Sequence, residues 1–164
     1  MNRRSFIKLA AGGVGVWSLL KLTESEQAMA AGRIEKIGRT DAEWKKLLTA
    51  EQYHVLREEG TEPSFSSPLE HEARSGVFVC AACDLALFPS RFKYDSGTGW
   101  PSFYDVLPGQ VETKTDFKLV LPRTEYHCAR CGGHQGHVFK DGPAPTGLRY
   151  CNNGVALKFV PGKV

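Results

Sequence analysis

The sequence predicts a mainly β domain entered through two short helices. Three observations predict it: two capping-box signatures between residues 40 and 52, a change to period-two patterning from Gly76 onward, and two Cys-x-x-Cys pairs placed just after predicted strands. A chain of 164 residues with 41% hydrophobic and 24% charged side chains is long enough for one compact domain with its own core, and too short for two.

Taken in order, the first thirty residues read as a targeting segment. Asn2-Arg3-Arg4-Ser5-Phe6-Ile7-Lys8 precedes a Gly-diluted apolar stretch, Leu9 to Leu20, and then Lys21, the pattern of a twin-arginine export signal. Ala28-Met29-Ala30 supplies the small residues of a signal peptidase site, which makes Ala31 the new N-terminus and the periplasm the destination. The alternative, a membrane anchor or buried helix, is weaker, because an apolar stretch of this length falls short of a bilayer core of about 30 Å. No stable membrane insertion is expected. Residues 31–39 show no pattern and are expected to form a flexible tail, leaving 40–164 as the domain.

Thr40-x-x-Glu43 and Thr49-x-x-Gln52 each place a hydroxyl and a Glu/Gln where they satisfy two orphan helix amides, so two helices start there. Trp44, Leu47 and Leu48 make the apolar face of the first, and Tyr53 and Leu56 that of the second, which is expected to stop at Gly60 with Pro63 beyond. Strands are expected at 77–80, 85–88, 117–121, 124–128 and 155–160; in the third, Phe117, Leu119 and Leu121 alternate with Lys118 and Val120 as a half-wet sheet requires.

Cys80-Ala81-Ala82-Cys83 and Cys128-Ala129-Arg130-Cys131 can each fold as a knuckle with two thiolates pointing one way. Together they supply the tetrahedral sulfur set that Zn²⁺ prefers, with no open position, so the metal is expected to be structural, one per chain. The site then staples distant strands and adds folding free energy. Two disulfides, or a thioredoxin-like redox pair, are the rival readings. A nucleic-acid-binding zinc ribbon is disfavoured by charge: of the formal +3, two positive charges lie in the first thirty residues, leaving a near-neutral remainder.

One thiol is left over. Cys151 stands in Arg149-Tyr150-Cys151-Asn152-Asn153-Gly154, and on a strand Arg149, Cys151 and Asn153 share a face. A guanidinium beside a thiol favours the reactive thiolate, so Arg149 is expected to activate Cys151. The same parity runs on through Val155, Leu157 and Phe159 unless Gly154 breaks it. The bland alternative is a buried structural cysteine. Two further clusters complete a candidate site: His134-Gln135-Gly136-His137-Val138-Phe139, just past the second cysteine pair, and Gly99-Trp100-Pro101-Ser102-Phe103 on a Gly/Pro loop. His54, His71 and His127 show no partner pattern.

Gly99-Trp100-Pro101-Ser102-Phe103, His134-x-x-His137-Val138-Phe139, Asp141-Gly142-Pro143 and Arg149-Tyr150-Cys151-x-Asn153, together with both cysteine pairs, resemble the peptide-methionine (R)-S-oxide reductases. The resemblance runs from about Thr40 to Val160 and includes Glu51-Gln52-Tyr53 and Gly60-Thr61-Glu62-Pro63. It implies two small antiparallel β-sheets with peripheral helices and an active site on a sheet face. It also implies that the Cys151 thiolate attacks a sulfoxide sulfur, that His134, His137 and Asn153 polarise and protonate the oxygen, that Arg149 supports Cys151, and that Trp100 and Phe139 receive the substrate. The substrate implied is the R-sulfoxide of methionine, in oxidised proteins or free, and the products are methionine and a Cys151 sulfenic acid.

Many relatives carry a resolving cysteine where this chain has Thr98, and often Ser where it has Gly154. With no such cysteine, the sulfenic acid is expected to be reduced directly by an external thiol, thioredoxin-like, glutaredoxin-like or small. A monomer with no nucleic-acid partner is expected. The competing function is a non-catalytic, zinc-stapled protein-binding module with Cys151 buried.

Overall fold

The computed structural model describes residues 34–118 and 121–163. The export-signal reading of residues 1–30 lies outside them. Among the described residues no helix is long and apolar enough to cross a membrane.

Both capping boxes form. Thr40 and Thr49 accept from the Glu43 and Gln52 amides at 3.3 and 3.1 Å, and the two side chains reach back to the cap amides at 2.8 and 3.2 Å. Helix α1 covers Asp41–Leu47 and α2 Ala50–Glu58. Trp44 and Leu56 are buried as expected, and so is Leu48 just past the end of α1, whereas Leu47 faces away from the core and is 57% exposed. Helix α2 also ends earlier than the sequence suggests: Glu59 takes the left-handed cap (φ 57°), and Gly60 follows it under the His54 ring, where a Cβ would meet Nε2 at 2.3 Å. Residues 34–39 carry no helix or strand, yet Ile37 N–H donates to Arg130 O at 2.8 Å and Lys36 pairs with Glu112.

Nine strands follow among the described residues: β1 (Gly76–Cys80), β2 (Ala86–Pro89), β3 (Lys93–Tyr94), β4 (Ser102–Phe103), β5 (Val111–Asp116), β6 (Arg123–Cys128), β7 (His134–Phe139), β8 (Arg149–Asn152) and β9 (Leu157–Pro161). They form two antiparallel sheets, β2-β1-β9 and β3-β4-β8-β7-β6-β5. The mainly β class, the two sheets and the two short helices are all present. Between the sheets lies an aromatic core: Phe88 stacks on Phe103 at 4.1 Å, and Phe78 meets Phe103 edge-on at 5.0 Å, an arrangement that adds roughly 0.5–1.5 kcal/mol per pair beyond area burial.

Of the expected strand at 117–121, none of the described residues is in a strand. Asp116 Oδ1 accepts from the Lys118 amide at 2.8 Å, an Asx turn that ends β5, and Phe117 and Leu121 stand 76% and 75% exposed in the connection to β6. Positions 119–120 lie outside the described residues. The expected parity through Val155 also fails, because Gly154–Ala156 form a 3₁₀ turn that separates β8 from β9 and puts them in different sheets.

Candidate active site

Cys151 lies on β8 between Ser102 of β4 and His137 of β7, its cross-strand partners. Facing residues on neighbouring antiparallel strands share a sheet face, so the row continues to Glu125 and Lys114. The second histidine joins by a different device. On a regular strand His134 and His137, three apart, would face opposite sides. The pairing slips between Tyr126 and His127 of β6, where one step opposes two on β7, and the bulge falls at Gln135. Gln135 therefore turns inward, with Nε2 at 3.5 Å from Cys80 Sγ, and the two imidazoles meet on the other face at 5.5 Å between centroids.

A cleft of about 130 Å³ opens over Cys151, lined by Thr61, Trp100, Arg123, Gly136, His137, Phe139, Cys151, Asn152 and Asn153. Of the residues singled out in the sequence, Cys151, His137, Trp100, Phe139 and Asn153 thus share one cleft. Arg149 is buried beside them, bound by Asp141 at 2.9 and 2.8 Å, with its guanidinium 4.4 Å over the Phe139 ring. His134 is not a lining residue. It sits behind His137, 3% exposed, with Nδ1 2.9 Å from Glu125 Oε1 but neither ring nitrogen in an aligned hydrogen bond.

The electrostatics differ from the sequence expectation in one respect. Burial pushes the Cys151 thiol above its ordinary value, and Arg149 and the Thr98 hydroxyl offset only part of that. The guanidinium is shared with Asp141, whose own charge pushes the thiol up. Cys151 therefore rests as a thiol whose proton must go somewhere when it reacts. Burial likewise pushes His134 below the ordinary histidine range, with Glu125 pulling the other way.

Several residues that order this site have no role assigned to them from the sequence. Glu62 is the hub: its carboxylate accepts from the Gly154 and Val155 amides at 2.5 and 2.8 Å, its N–H donates to Asn153 Oδ1 at 3.0 Å, and its carbonyl accepts the Trp100 indole N–H at 3.1 Å. Asn153 Nδ2 donates to Gln135 O at 3.0 Å, which leaves one amide hydrogen for a substrate. Asp116 holds His137 and is itself held by Arg123. Only contacts across 21 and 7 residues of sequence make these roles visible.

The paired cysteines form a second centre. Their sulfurs all lie within 4.8 Å of one another, with Cys80–Cys131 at 3.7 Å and Cys83–Cys128 at 3.5 Å. Ligands about 2.3 Å from a tetrahedral metal stand about 3.8 Å apart, whereas a disulfide requires about 2.05 Å. All five cysteines are free thiols, so the arrangement fits a metal and not a disulfide. The two knuckles are built alike. Cys80 and Cys128 each accept at their carbonyl from the residue four ahead, Asp84 and Gly132, both in the left-handed region (φ 56° and 68°), and donate to the carbonyl five ahead. Gly132 has the side-chain-free backbone that this turn favours.

The SelR domain matches residues 48–161. Over 132 residues the chain is 54% identical to the peptide methionine sulfoxide reductase MsrB of Methanosarcina barkeri, covering 80% of this chain and 91% of that one. Over 127 residues it is 52% identical to the MsrB of Agrobacterium fabrum, covering 77% and 94%. The chain belongs to the MsrB family. A weaker likeness, with a TM-score of 0.43 at 18% identity, covers 56% of this chain and all of the Mis18 "Yippee-like" domain.

Within the MsrB family the informative position is Thr98. Its hydroxyl lowers the pKa of the Cys151 thiol and, at 2.8 Å, hydrogen-bonds the Ser96 hydroxyl, which itself lies 2.8 Å from Ser102 Oγ. Every cysteine other than Cys151 belongs to the metal cluster. Cys151 therefore has hydroxyls, and no second thiol, around it.

Proposed function

We propose that the protein reduces the R epimer of methionine sulfoxide to methionine through a sulfenic acid on Cys151, which an external thiol then reduces. The observation that carries this reading is the cleft itself: one cysteine faces a histidine across the strand, between an indole and a phenyl ring, in an MsrB-family chain. The Trp100 indole receives the sulfoxide methyl group, the oxygen turns toward His137 and Asn153, and the sulfur meets Cys151 Sγ. Three such contacts admit one hand of a pyramidal sulfoxide, and the family resemblance makes that hand R.

The step balances without a further reagent. The S–O bond of the substrate breaks and an S–O bond to Cys151 forms. Two electrons pass from the cysteine sulfur to the sulfoxide sulfur, and the thiol proton ends on the sulfenic oxygen. A positioned acid contributes about 10²–10⁴-fold to such a step, because an unprotonated sulfoxide oxygen leaves poorly. Zn²⁺ held by Cys80, Cys83, Cys128 and Cys131 would supply structure and no chemistry, since four thiolates close its coordination. Thr98 cannot resolve the sulfenic acid as a disulfide, which is why a thioredoxin-like, glutaredoxin-like or small thiol is required. The twin-arginine pattern supports a periplasmic site of action for a monomer loaded with metal before export.

The test incubates the protein lacking residues 1–30 with dithiothreitol and resolved R and S sulfoxides, beside Cys151→Ser. R-sulfoxide should be consumed by the wild type alone, and unchanged R-sulfoxide would favour a binding module. One equivalent of substrate without reductant should add one oxygen to the protein mass; a loss of two hydrogens instead would rule out the single-cysteine route. N-terminal sequencing of the exported protein should begin at Ala31.

A further inference from the structure

The two histidines lie against different carboxylates, and the difference assigns their work. His137 lines the cleft and its Nε2 lies 2.7 Å from Asp116 Oδ2. That carboxylate is itself immobile: Oδ1 takes the Lys118 amide at 2.8 Å, Oδ2 also takes Arg123 Nη2 at 2.6 Å, and the group is 6% exposed. These donors, the Lys118 amide foremost, hold it well below the usual carboxylate range, so it meets the ring as an anion. An anion can only accept, and Nε2 of His137 must therefore carry its hydrogen toward Asp116. Among the described residues Nδ1 makes no hydrogen bond and is not a buried orphan. It is the ring nitrogen left for the substrate.

His134 lacks each of these features. It lies outside the cleft lining, its contact with Glu125 at 2.9 Å is off the hydrogen-bond line, and Glu125 Oε2 is drawn to Lys114 at 3.3 Å. The charged and titratable groups around His137 are thus Asp116 on β5, Arg123 and Glu125 on β6, His134 on β7 and Cys151 on β8.

We propose that Asp116, anchored by Arg123, is the positioning residue of the proton transfer: it fixes His137 so that Nδ1 moves the Cys151 proton to the sulfoxide oxygen, while His134 packs behind without exchanging a proton. The inference rests on the reduction proposed above. Nδ1 takes the Cys151 proton and then gives it to the departing oxygen, so the ring returns to its starting tautomer and proton and electron counts both close.

The first measurement needs no variant. Long-range proton–nitrogen correlation spectra of ¹⁵N-histidine-labelled wild type should show neutral His137 as the Nε2–H tautomer; a dominant Nδ1–H tautomer overturns the proposal. Asp116→Ala should mix the tautomers and lower the single-turnover rate by about 10²-fold, with KM within about threefold. Asp116→Asn, which keeps an acceptor, should fall between. A loss confined to KM, or Asp116→Ala turning over within threefold of wild type, would refute it. Should Asp116→Ala fail to fold, the wild-type tautomer decides alone. Failure of the wild type to reduce R-sulfoxide would remove the reaction and leave the tautomer result standing, so the two readings fail separately.

Discussion

Gly136 offers a sharp perturbation, because it faces Asn152 across the β7–β8 ladder beside both His137 and Cys151. A Cβ built there would lie 1.9 Å from the Cys151 carbonyl oxygen and 3.0 Å from its carbon. An ordinary carbon–oxygen contact is about 3.3 Å, so Gly136→Ala requires a displacement of about 1.4 Å in one strand or the other. Neither strand can give locally, since β8 is hydrogen-bonded to β4 on its far side and β7 to β6. Overpacking of this kind costs about 1–3 kcal/mol, and for a domain of this size that lowers the melting temperature by about 4–12 °C. The Cys151–His137 pair would move with the strands, and a misplacement near 1 Å costs about 10²-fold in rate. Calorimetry and the R-sulfoxide assay on one preparation test both numbers. A variant melting within about 1 °C of wild type and retaining a third of its activity would show that the strand spacing next to Cys151 is not what the reasoning holds it to be.

Three other outcomes follow from the same structure. Cys128→Ser, or a strong chelator, should abolish a one-to-one zinc content measured by elemental analysis and unfold the domain cooperatively by circular dichroism, because the sulfur cluster joins the ends of strands from both sheets; chelation that leaves the fold intact would remove the structural role. Alkylation of Cys151 by iodoacetamide should be slower at pH 7 than that of a free cysteine and rise with pH, since burial raises its pKa, and Arg149→Met should slow it further by removing a group that lowers it. Glu59, held near pKa 2 by Lys114 and Lys118, stabilises the fold above its unfolded value of about 4.5 and stops doing so as pH falls toward 2. Partly exposed, the cluster contributes no more than about 1 kcal/mol, so Glu59→Gln should lower the urea midpoint slightly at pH 7 and not at pH 2.

Local chemistry made much of the fold legible. The two threonine capping boxes depend on residues three apart, and both formed; the apolar runs at 77–80 and 124–128 lie within the observed strands. The misreading at 117–121 has the opposite cause: Phe117 and Leu121 mimic a half-buried strand, but the Asp116 side chain takes the Lys118 amide and turns the chain first. Strand β7 was hidden because its glycine and polar residues give no period, and β3 and β4 because two residues each carry too little pattern. At the site, the counted cysteine and the aromatic motifs were readable. The acidity of Cys151 was not, because Arg149 beside it in sequence says nothing of Asp141 claiming the same guanidinium or of how deeply the sulfur lies. Glu62 and Asp116 act through backbone and cross-strand contacts that leave no spacing to read.

The slip in pairing at Gln135 turns a spacing into a piece of geometry. Two histidines three apart suit one side of a helix, yet these stand on a strand, where the same interval should divide them between wet and dry faces. Both stand on one side because the strand skips a beat between them. The slip also ties the interval to the bulge: without the extra residue at Gln135, a spacing of three would send one imidazole into the core.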